Sequence, residues 1–352
     1  FHQELKVRVA RYFAESGKRQ RDLPEMYLKT GVVLAWAGTS WAFVVFFASS
    51  PWLAAAGCVS LALAVAGLGF SVQHDANHGA YSDSRSVNRS LGTVLDLIGG
   101  SSYIWRWKHN IFHHSHPNVA GLDGDVDLGV IGRIAPGHRL RGPHRLQYLY
   151  LWMLYGFLAV KWHLLDDVWN ASAGSVSGQK MPRPTGRQLA LLVGGKLVFF
   201  GWALLIPALF HPLWKVALCY LATSFILGLA LSVTFQLAHC VEEADFPAPP
   251  TSGHGFDTDW AAHQVRTTVD FAPRNRLLSW YLGGLNFQVV HHLFPMVCHL
   301  HYPALARIVD ETCRDHGIRY RVHRSLGSAL VSHVRWLKRM GQPITGLPAR
   351  AA

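Results

Sequence analysis

The sequence predicts an all-α integral membrane protein, with four transmembrane helices in two hairpins and a cytosolic helical cap that holds a metal site. Half of the 352 residues are hydrophobic and only 15% are charged, well below the roughly 25% charged residues of soluble globular domains. This composition excludes a disordered chain, which combines high charge with few apolar residues. The chain also contains 21 histidines, as many as its aspartates and glutamates together, and several of them follow apolar stretches directly.

The membrane spans are predicted from four apolar stretches, each near the roughly 20 residues that a bilayer requires. The first two carry no charge and are almost continuous, so they predict a helical hairpin. The other two surround a His-Pro dipeptide, and their lysines, Lys196 and Lys215, lie toward span ends where a long side chain can reach the interface. The four stretches are Gly31–Ser49, Pro51–Phe70, Leu189–Phe210 and Leu213–Ala238.

Two weaker apolar stretches lie between the hairpins. Leu91–Trp105 contains an aspartate with several glycines and serines, and Gln147–Leu165 is aromatic but has only a short uncharged run. Both are too short to span a bilayer, so they predict interfacial or re-entrant helices. The Gly-, Ser- and Pro-rich segments Ala171–Pro184 and Phe246–Gly255 are predicted to be loops.

Orientation is predicted from the lysines and arginines, which concentrate outside the two hairpins. Because cytoplasmic segments carry an excess of positive charge, both termini and the middle segment are expected in the cytoplasm. One membrane domain, 1–352, is then divided into five parts. These are the cytosolic segment 1–30, the first hairpin 31–70, the cytosolic segment 71–188, the second hairpin 189–238 and the cytosolic segment 239–352.

Eight histidines form a candidate metal site. They occur as H-D-A-N-H, as H-N-I-F-H-H, as Q-V-V-H-H and as one histidine after the fourth span. Residues i and i+4 share a helix face, so such pairs can direct two imidazoles at one point. Eight ligands exceed the needs of one metal but suit two ions, and imidazole alone does not select among Fe, Zn, Cu and Ni. The eight are His74, His78, His109, His113, His114, His239, His291 and His292.

The motifs H-D-A-N-H, H-N-I-F-H-H and Q-V-V-H-H-L-F-P resemble the three histidine boxes of the membrane fatty-acid desaturases. The resemblance covers about residues 30–310. It implies a four-span bundle whose cytosolic cap holds a non-haem di-iron site, with the eight histidines at the positions of the family's ligands. It also implies an activity that uses O2 and two electrons to remove two hydrogens from adjacent methylenes of an acyl chain.

Gln288 is where the sequence departs from many members, which have histidine at the start of the third box. The Q-x-x-H-H form resembles the front-end acyl desaturases, which commonly carry a fused cytochrome b5 domain with an H-P-G-G motif. Here the pairs His116-Pro117 and His211-Pro212 are not followed by Gly-Gly, and 30 residues before the first span are too few for such a domain. A separate electron donor, a ferredoxin or a cytochrome b5, is therefore expected.

Residues around the boxes are expected to support the site. A metal-bound imidazole needs an acceptor for its other N–H, and Asp75 is the best candidate, while Gln288 is a further contact beside the ligands. Trp105 and Trp107 precede the second box and are expected either to line an acyl tunnel or to anchor the chain at the interface. The run from Asp123 to Asp127 lacks the downstream glutamate of a calcium loop, so it is predicted to be a loop that orients histidine or arginine near the second box.

The net charge of +12 suits membrane lipids with anionic headgroups, an acidic electron donor or a phosphate-bearing acyl carrier. Nucleic acid is not an expected partner, because positive-inside topology already accounts for the charge. The acyl substrate is expected on CoA, phospholipid or acyl carrier protein. A di-iron hydroxylase, alkane monooxygenase or acetylenase shares the same metal chemistry. Zinc hydrolases and metal transporters are the alternatives from other classes, although transport sites lie near the mid-membrane rather than beyond the span ends.

Overall fold

The computed structural model describes residues 1–249 and 259–343, and it is mostly helical. Within these residues, four helices are long and apolar enough to cross a membrane, which confirms the predicted spans. The first and third helices begin before their predicted starts and end two residues before their predicted ends, whereas the second and fourth begin as predicted and continue past their predicted ends into histidine-bearing turns. The four helices are Pro24–Phe47, Pro51–His78, Arg187–Ala208 and Leu213–His239.

The first hairpin leads directly into the first histidine box. Pro24 and Pro51 lie in the first turns of their helices, where the missing N–H is harmless and the fixed φ is favourable. The second span continues without a break to His78, and Gly79 ends it with a φ of 74°, which favours glycine. The elements are α1 (His2–Ser16), α2 (Pro24–Ala42), a π-helical segment Phe43–Phe47, α3 (Pro51–Gly67), a π-helical segment Leu68–Gln73 and α4 (His74–His78).

The middle segment consists of short helices, and neither weaker apolar stretch is among the four spans. Leu149, Met153 and Phe157 form an exposed apolar stripe, as expected of a helix in the membrane interface. The elements are α5 (Arg85–Gly92), α6 (Val94–Leu97), α7 (Ser102–Trp105), a π-helical segment Arg106–His113, the 3-10 turns Gly124–Val126 and Gly142–Leu146, α8 (Gln147–Gly156), α9 (Leu158–Lys161), a π-helical segment Trp162–Asp166 and α10 (Asp167–Ala173).

Of the two predicted loops, the first contains regular structure and the second is described only in part. The segment Ala171–Pro184 begins in the last turn of α10 and contains an antiparallel pair, β1 (Ser175–Val176) with β2 (Gln179–Lys180). Its glycines, Gly174 and Gly178, provide the positive-φ turns that this hairpin requires. Residues 246–249 of the other predicted loop are irregular, and its residues 250–255 lie outside the described part of the chain.

The second hairpin places His239 at the end of the fourth span. Its elements are α11 (Arg187–Phe200), a π-helical segment Gly201–Leu205, α12 (Ile206–Ala208) and α13 (Leu213–His239). Helix α13 packs against both α3 and α8. Gly228 of α13 lies against the Gly156 carbonyl, where a larger residue would not fit. This close approach joins the second hairpin to α8.

The C-terminal segment carries the third box and covers the site. A parallel pair joins Asp270 to Val322 and Phe271 to His323. Helix α1 packs on this segment, where its Leu5 and Val9 share an apolar core with Val289 and Leu305. The elements are α14 (Trp260–Thr267), β3 (Asp270–Phe271), α15 (Arg276–Tyr281), α16 (Gln288–Leu293), a 3-10 turn His299–His301, α17 (Tyr302–Asp315), β4 (Val322–His323) and α18 (Leu326–Met340).

Candidate metal centre

All eight predicted histidines meet in the interior of the protein. The first box is helix α4, the second box lies on the π-helical segment and the residue after it, and the third box is helix α16. His239 is the last residue of α13. Seven of the eight side chains are buried, and His78 is partly buried.

The imidazoles form two clusters. The first cluster is His74, His78, His109 and His291, and the second cluster is His113, His239 and His292. In each set the nitrogens lie within 4.8 Å of one another. His114 stands between them: its Nε2 is 3.1 Å from Nε2 of His291, and its ring stacks on His292 at 4.3 Å. The division matches two ions better than one.

Local helix geometry explains how one short box serves both clusters. His109 and His113 are four residues apart and their rings stack at 5.3 Å. Adjacent helical residues point about 100° apart, so His113 and His114 diverge toward different neighbours. The segment is π-helical, a local widening that is frequent at functional sites.

Four of the box histidines that lie outside the spans favour the neutral form for electrostatic reasons. Burial and repulsion from neighbouring imidazoles hold the pKa of His109, His114, His291 and His292 well below its ordinary value. Neutral imidazole is the form that binds metal. His113 differs, since burial lowers its pKa but Asp123 and Asp125 raise it more, so the net pKa is raised.

Three side chains outside the boxes hold the Nδ1 atoms of box histidines. Asp123 Oδ2 lies 2.9 Å from Nδ1 of His113, as expected of a loop that orients the second box. Gln264 Oε1 lies 2.8 Å from Nδ1 of His292. Such partners fix the tautomer and leave Nε2 free for a metal.

Tyr302 is the third of these partners, with its hydroxyl 3.3 Å from Nδ1 of His291. Neither Gln264 nor Tyr302 was found by sequence reasoning. No local spacing marks them, although Tyr302 follows the third box closely enough that an aromatic hydroxyl there could have been considered.

The prediction for Asp75 requires a correction. Its Oδ1 is 3.9 Å from Nδ1 of His74, which is too long for a hydrogen bond. Its Oδ2 instead lies 2.8 Å from Nδ1 of His299. His299 competes successfully because it is brought against α4 by the turn after the third box. Asp75 therefore faces His74 without bonding to it.

Gln288 lies where it was expected, beside the ligands. Its side chain is buried, and its Nε2 is 3.0 Å from Nε2 of His239. It therefore adds a polar group to the second cluster, which has one histidine fewer than the first.

The two tryptophans have different surroundings. Trp105 stacks on His109 at 4.4 Å and meets the His74 ring edge-on at 5.7 Å, so it forms a wall of the first cluster. Trp107 packs instead against Phe112 in the apolar cluster around Ile104 and Val176. The two side chains therefore do not share one environment, because residues two apart on a helical segment point in different directions.

The donor set fits metal ions. Within the part of the chain that the structure describes, Nε2 of His74 and Nε2 of His78 are buried without a hydrogen-bond partner, as is Nδ1 of His239. Buried polar atoms almost always have a hydrogen-bond partner. Several buried imidazole nitrogens without one, all at the same place, indicate metal ligands. The residues present therefore suit two nitrogen-bound ions.

Comparison with known proteins agrees with this site. Residues 50–324 match the family described as fatty acid desaturase. The chain is 39% identical to a protein named sn-1 linoleoyl-lipid 6-desaturase from Synechocystis sp., over 97% of this chain and 96% of that protein. A protein of the same name from Arthrospira platensis is also 39% identical, with 97% and 92% covered.

A further relative, the acyl-lipid (8-3)-desaturase of Physcomitrium patens, is 35% identical over 97% of this chain and 72% of its own length. The matched residues 50–324 include all three histidine boxes and His239. The resemblance predicted from the boxes is thus confirmed over most of the chain, and the hydrolase and transporter alternatives are not supported. The chain belongs to the fatty acid desaturase family, and it is an oxidoreductase that introduces double bonds into fatty acyl chains.

Proposed function

We propose that the eight histidines bind two iron ions and that the substrate is an acyl chain carried by a membrane lipid. The overall reaction converts –CH2–CH2– with O2, two electrons and two protons into –CH=CH– and two waters. Bound iron would supply the redox chemistry that hydrogen removal from an unactivated methylene requires. The observation that carries the proposal is the convergence of eight imidazoles in the interior, seven in two clusters and His114 between them.

We assign one ion to the first cluster and the other to the second cluster with Gln288 nearby, while His114 adjoins both. The protein's own part is to keep these imidazoles neutral and oriented. Burial maintains neutrality, and the contacts of Asp123, Gln264 and Tyr302 fix ring angles. Trp105 would shield the first cluster from water.

The identity of the substrate is supported by the relatives. Two of them are named for action at position 6 of linoleoyl chains at sn-1 of a lipid, and this chain matches each over nearly its full length. We propose the same class of lipid-linked substrate and the same position. A ferredoxin or cytochrome b5 type donor would deliver the electrons, and the net charge of +12 favours an acidic protein.

Product analysis tests this proposal. The chain is expressed in cells that make linoleoyl lipids, together with a ferredoxin reducing system, and total lipids are examined by mass spectrometry. We expect a product lighter by two hydrogens, with the new double bond at position 6, and about two irons per purified chain. A double bond elsewhere contradicts the position, and a single zinc contradicts the di-iron assignment.

A matched pair of variants tests the ligands. His78→Ala removes a ligand of the first cluster and should abolish both iron at that cluster and product. His316→Ala removes an exposed histidine that contacts Glu4 on the surface, so iron and product should be unchanged. Retention of full iron content by His78→Ala would reject the ligand set.

We also propose that the clusters and both termini face the cytoplasm, as the distribution of positive charge indicates. Ser49 lies at an exposed hairpin tip and Glu311 on an exposed face of α17. In a background without other cysteines, Ser49→Cys should react with an impermeant maleimide from outside intact cells. Glu311→Cys should react only in inverted vesicles, and the reverse pattern would overturn the orientation.

A further inference from the structure

A buried row of three polar side chains connects the first span to the first histidine box. Lys29 of α2 is 3% exposed, His299 is 3% exposed and Asp75 of α4 is 1% exposed. Lys29 Nζ lies 2.9 Å from Nε2 of His299, and His299 Nδ1 lies 2.8 Å from Oδ2 of Asp75. None of the eight proposed ligands is part of this row.

The direction of these hydrogen bonds follows from the donor inventory. An ammonium has no acceptor, so Lys29 donates and Nε2 of His299 accepts. The imidazole proton must then be on Nδ1, from which it is donated to Asp75. The backbone amide of His299 also donates to Asp75 Oδ2, at 3.3 Å. The negative charge of Asp75 is thus balanced by Lys29 through one neutral imidazole.

Lys29 is firmly held in this position. It donates to the carbonyl of Trp280 at 2.5 Å, and its ammonium lies 5.1 Å from the centre of the Trp280 ring. A lysine buried on a membrane helix is costly unless it is paired. An apolar residue at this position would suffice for a membrane-spanning helix. The presence of lysine therefore indicates that its positive charge has a role.

A third metal site is the alternative interpretation of Asp75, Cys298 and His299, whose ligand atoms also cluster. The ammonium of Lys29 next to His299 would repel a bound cation. Burial also raises the pKa of the Cys298 thiol, which opposes the thiolate that a metal requires. The row is therefore better explained by charge balance than by metal binding.

We propose that Lys29 and His299 are positioning residues for the first histidine box. They hold Asp75 as a carboxylate facing Nδ1 of His74 at 3.9 Å, and this field favours the tautomer of His74 that presents Nε2 to the first cluster. The inference rests on the proposed function of that cluster as a metal site. It also explains how segments distant in the sequence keep one ligand oriented.

Cobalt binding tests the proposal, because the visible spectrum of Co²⁺ depends on ligand geometry. Metal-free protein in detergent is titrated with Co²⁺, and melting of the metal-free form is measured separately. Loss of an outer contact typically lowers metal affinity about 10- to 100-fold. We expect Lys29→Met to weaken Co²⁺ binding at one of two sites by that factor and to change its spectrum. Lys29→Arg, which keeps the charge, should have the Co²⁺ affinity and the Co²⁺ spectrum of the wild-type protein.

Lys196→Met is the matched control. Lys196 is also a lysine on a membrane helix, with its side chain 12% exposed, and it pairs with Asp167 at 2.8 Å, away from both clusters. This variant should lower the melting temperature without altering Co²⁺ affinity or spectrum. If Lys29→Met behaves like Lys196→Met, the row is only structural and the proposal is overturned.

Two further variants keep the test decisive. If Lys29→Met does not fold, His299→Phe breaks the same row from its centre and should weaken Co²⁺ binding in the same way, and wild-type binding there overturns the proposal. His78→Ala reports on the ligand assignment itself. Wild-type cobalt binding by His78→Ala would remove the proposed metal site, whereas a loss there with normal binding by Lys29→Met rejects only the positioning role.

Discussion

The Nδ1 contacts of the box histidines show how much of this centre depends on residues that bind no metal. Asp123 accepts from the backbone amide of Asn118 as well as lying against His113, and its other oxygen accepts from Asp125. One carboxylate therefore orders both a ligand and the loop that follows the second box. Its replacement should affect metal binding without touching a ligand.

Asp123→Asn keeps the shape of the side chain but leaves one acceptor oxygen for donors on two sides. We expect metal affinity at the second cluster to fall about 10- to 100-fold, because His113 loses its fixed tautomer. Asp127→Asn is the control, since Asp127 belongs to the same D-G-D-V-D run but is exposed and accepts from the Gly129 amide. Equal Co²⁺ affinities for the two variants in a titration would contradict this role.

Replacement of Gln288 can distinguish a role in metal binding from a role in the position of the new double bond. The buried amide of Gln288 contacts His239, so we expect it to act on the second cluster. Gln288→Ala should lower the rate about 10- to 100-fold, while any remaining product keeps its double bond at the wild-type position. Mass spectrometry of the products decides, and a shifted double bond would assign Gln288 to substrate placement.

At the level of elements, the third box is positioned from two sides. Asp270 of β3 accepts from the Val289 amide at 2.9 Å and so caps α16. Gly283 lies directly against the backbone of Phe70, one turn before the first box. These contacts align α16 with the end of the second span, and they leave no room for a side chain at Gly283.

Gly283→Ala tests this alignment. Gly283 has a φ of 59°, and an added Cβ would overlap the Phe70 carbonyl oxygen. Gly317 has a similar φ of 65° but nothing within 4 Å, so Gly317→Ala measures only the backbone strain of about 1–2 kcal/mol. We expect Gly283→Ala to lose a further 1–3 kcal/mol, roughly, from overpacking. Equal melting temperatures for the two variants would contradict the close contact.

The same scale shows what the sequence could predict and what it could not. The spans were predictable because apolar length is a local property, and the eight histidines because their spacing is local too. The partnership of His299 with Asp75, and the pairing of Asp270 with Val322, join residues far apart in the chain. Such contacts are set by packing and leave no periodic pattern. The sequence therefore does not predict that Asp75 pairs with His299.

For the whole molecule, the two clusters are the point at which four separated chain segments meet. The end of the second span, the middle segment, the end of the fourth span and the third box each contribute imidazoles. Without metal, this junction brings together imidazoles of which four, outside the spans, have a depressed pKa. The stability of the metal-free protein should therefore depend on pH in a predictable direction.

The direction in which stability changes with pH follows from proton linkage. The pKa of each of four box histidines is depressed in the folded state, mainly by burial, whereas in the unfolded chain it is about 6.5. The unfolded state thus binds more protons below that pH, so stability is complete above about pH 6.5 and falls as the pH decreases. The four are His109, His114, His291 and His292.

Other groups modify this dependence without reversing it. Burial raises the pKa of Asp270 to about 7 and that of Asp96 to about 6, and the pKa of His113 is also raised. Through these three groups, the folded protein becomes more stable as the pH falls. Burial lowers the pKa of His263 and His333 to about 4, which adds to the box histidines. The depressed histidines outnumber the opposing groups.

We therefore expect the melting temperature of metal-free protein to fall between pH 7.5 and pH 5.5, each depressed histidine contributing about 1.4 kcal/mol per pH unit below 6.5. Added Co²⁺ should raise the melting temperature at pH 7.5, since it binds the folded form more tightly than the unfolded chain, and less at pH 5.5, where protons compete for the imidazoles. The double variant with His109→Gln and His291→Gln should flatten the pH dependence, whereas His316→Gln, at an exposed site, should preserve it. A metal-free melting temperature that does not change over this range would mean that the imidazoles are not held neutral by burial, and the junction would then need another source of cohesion.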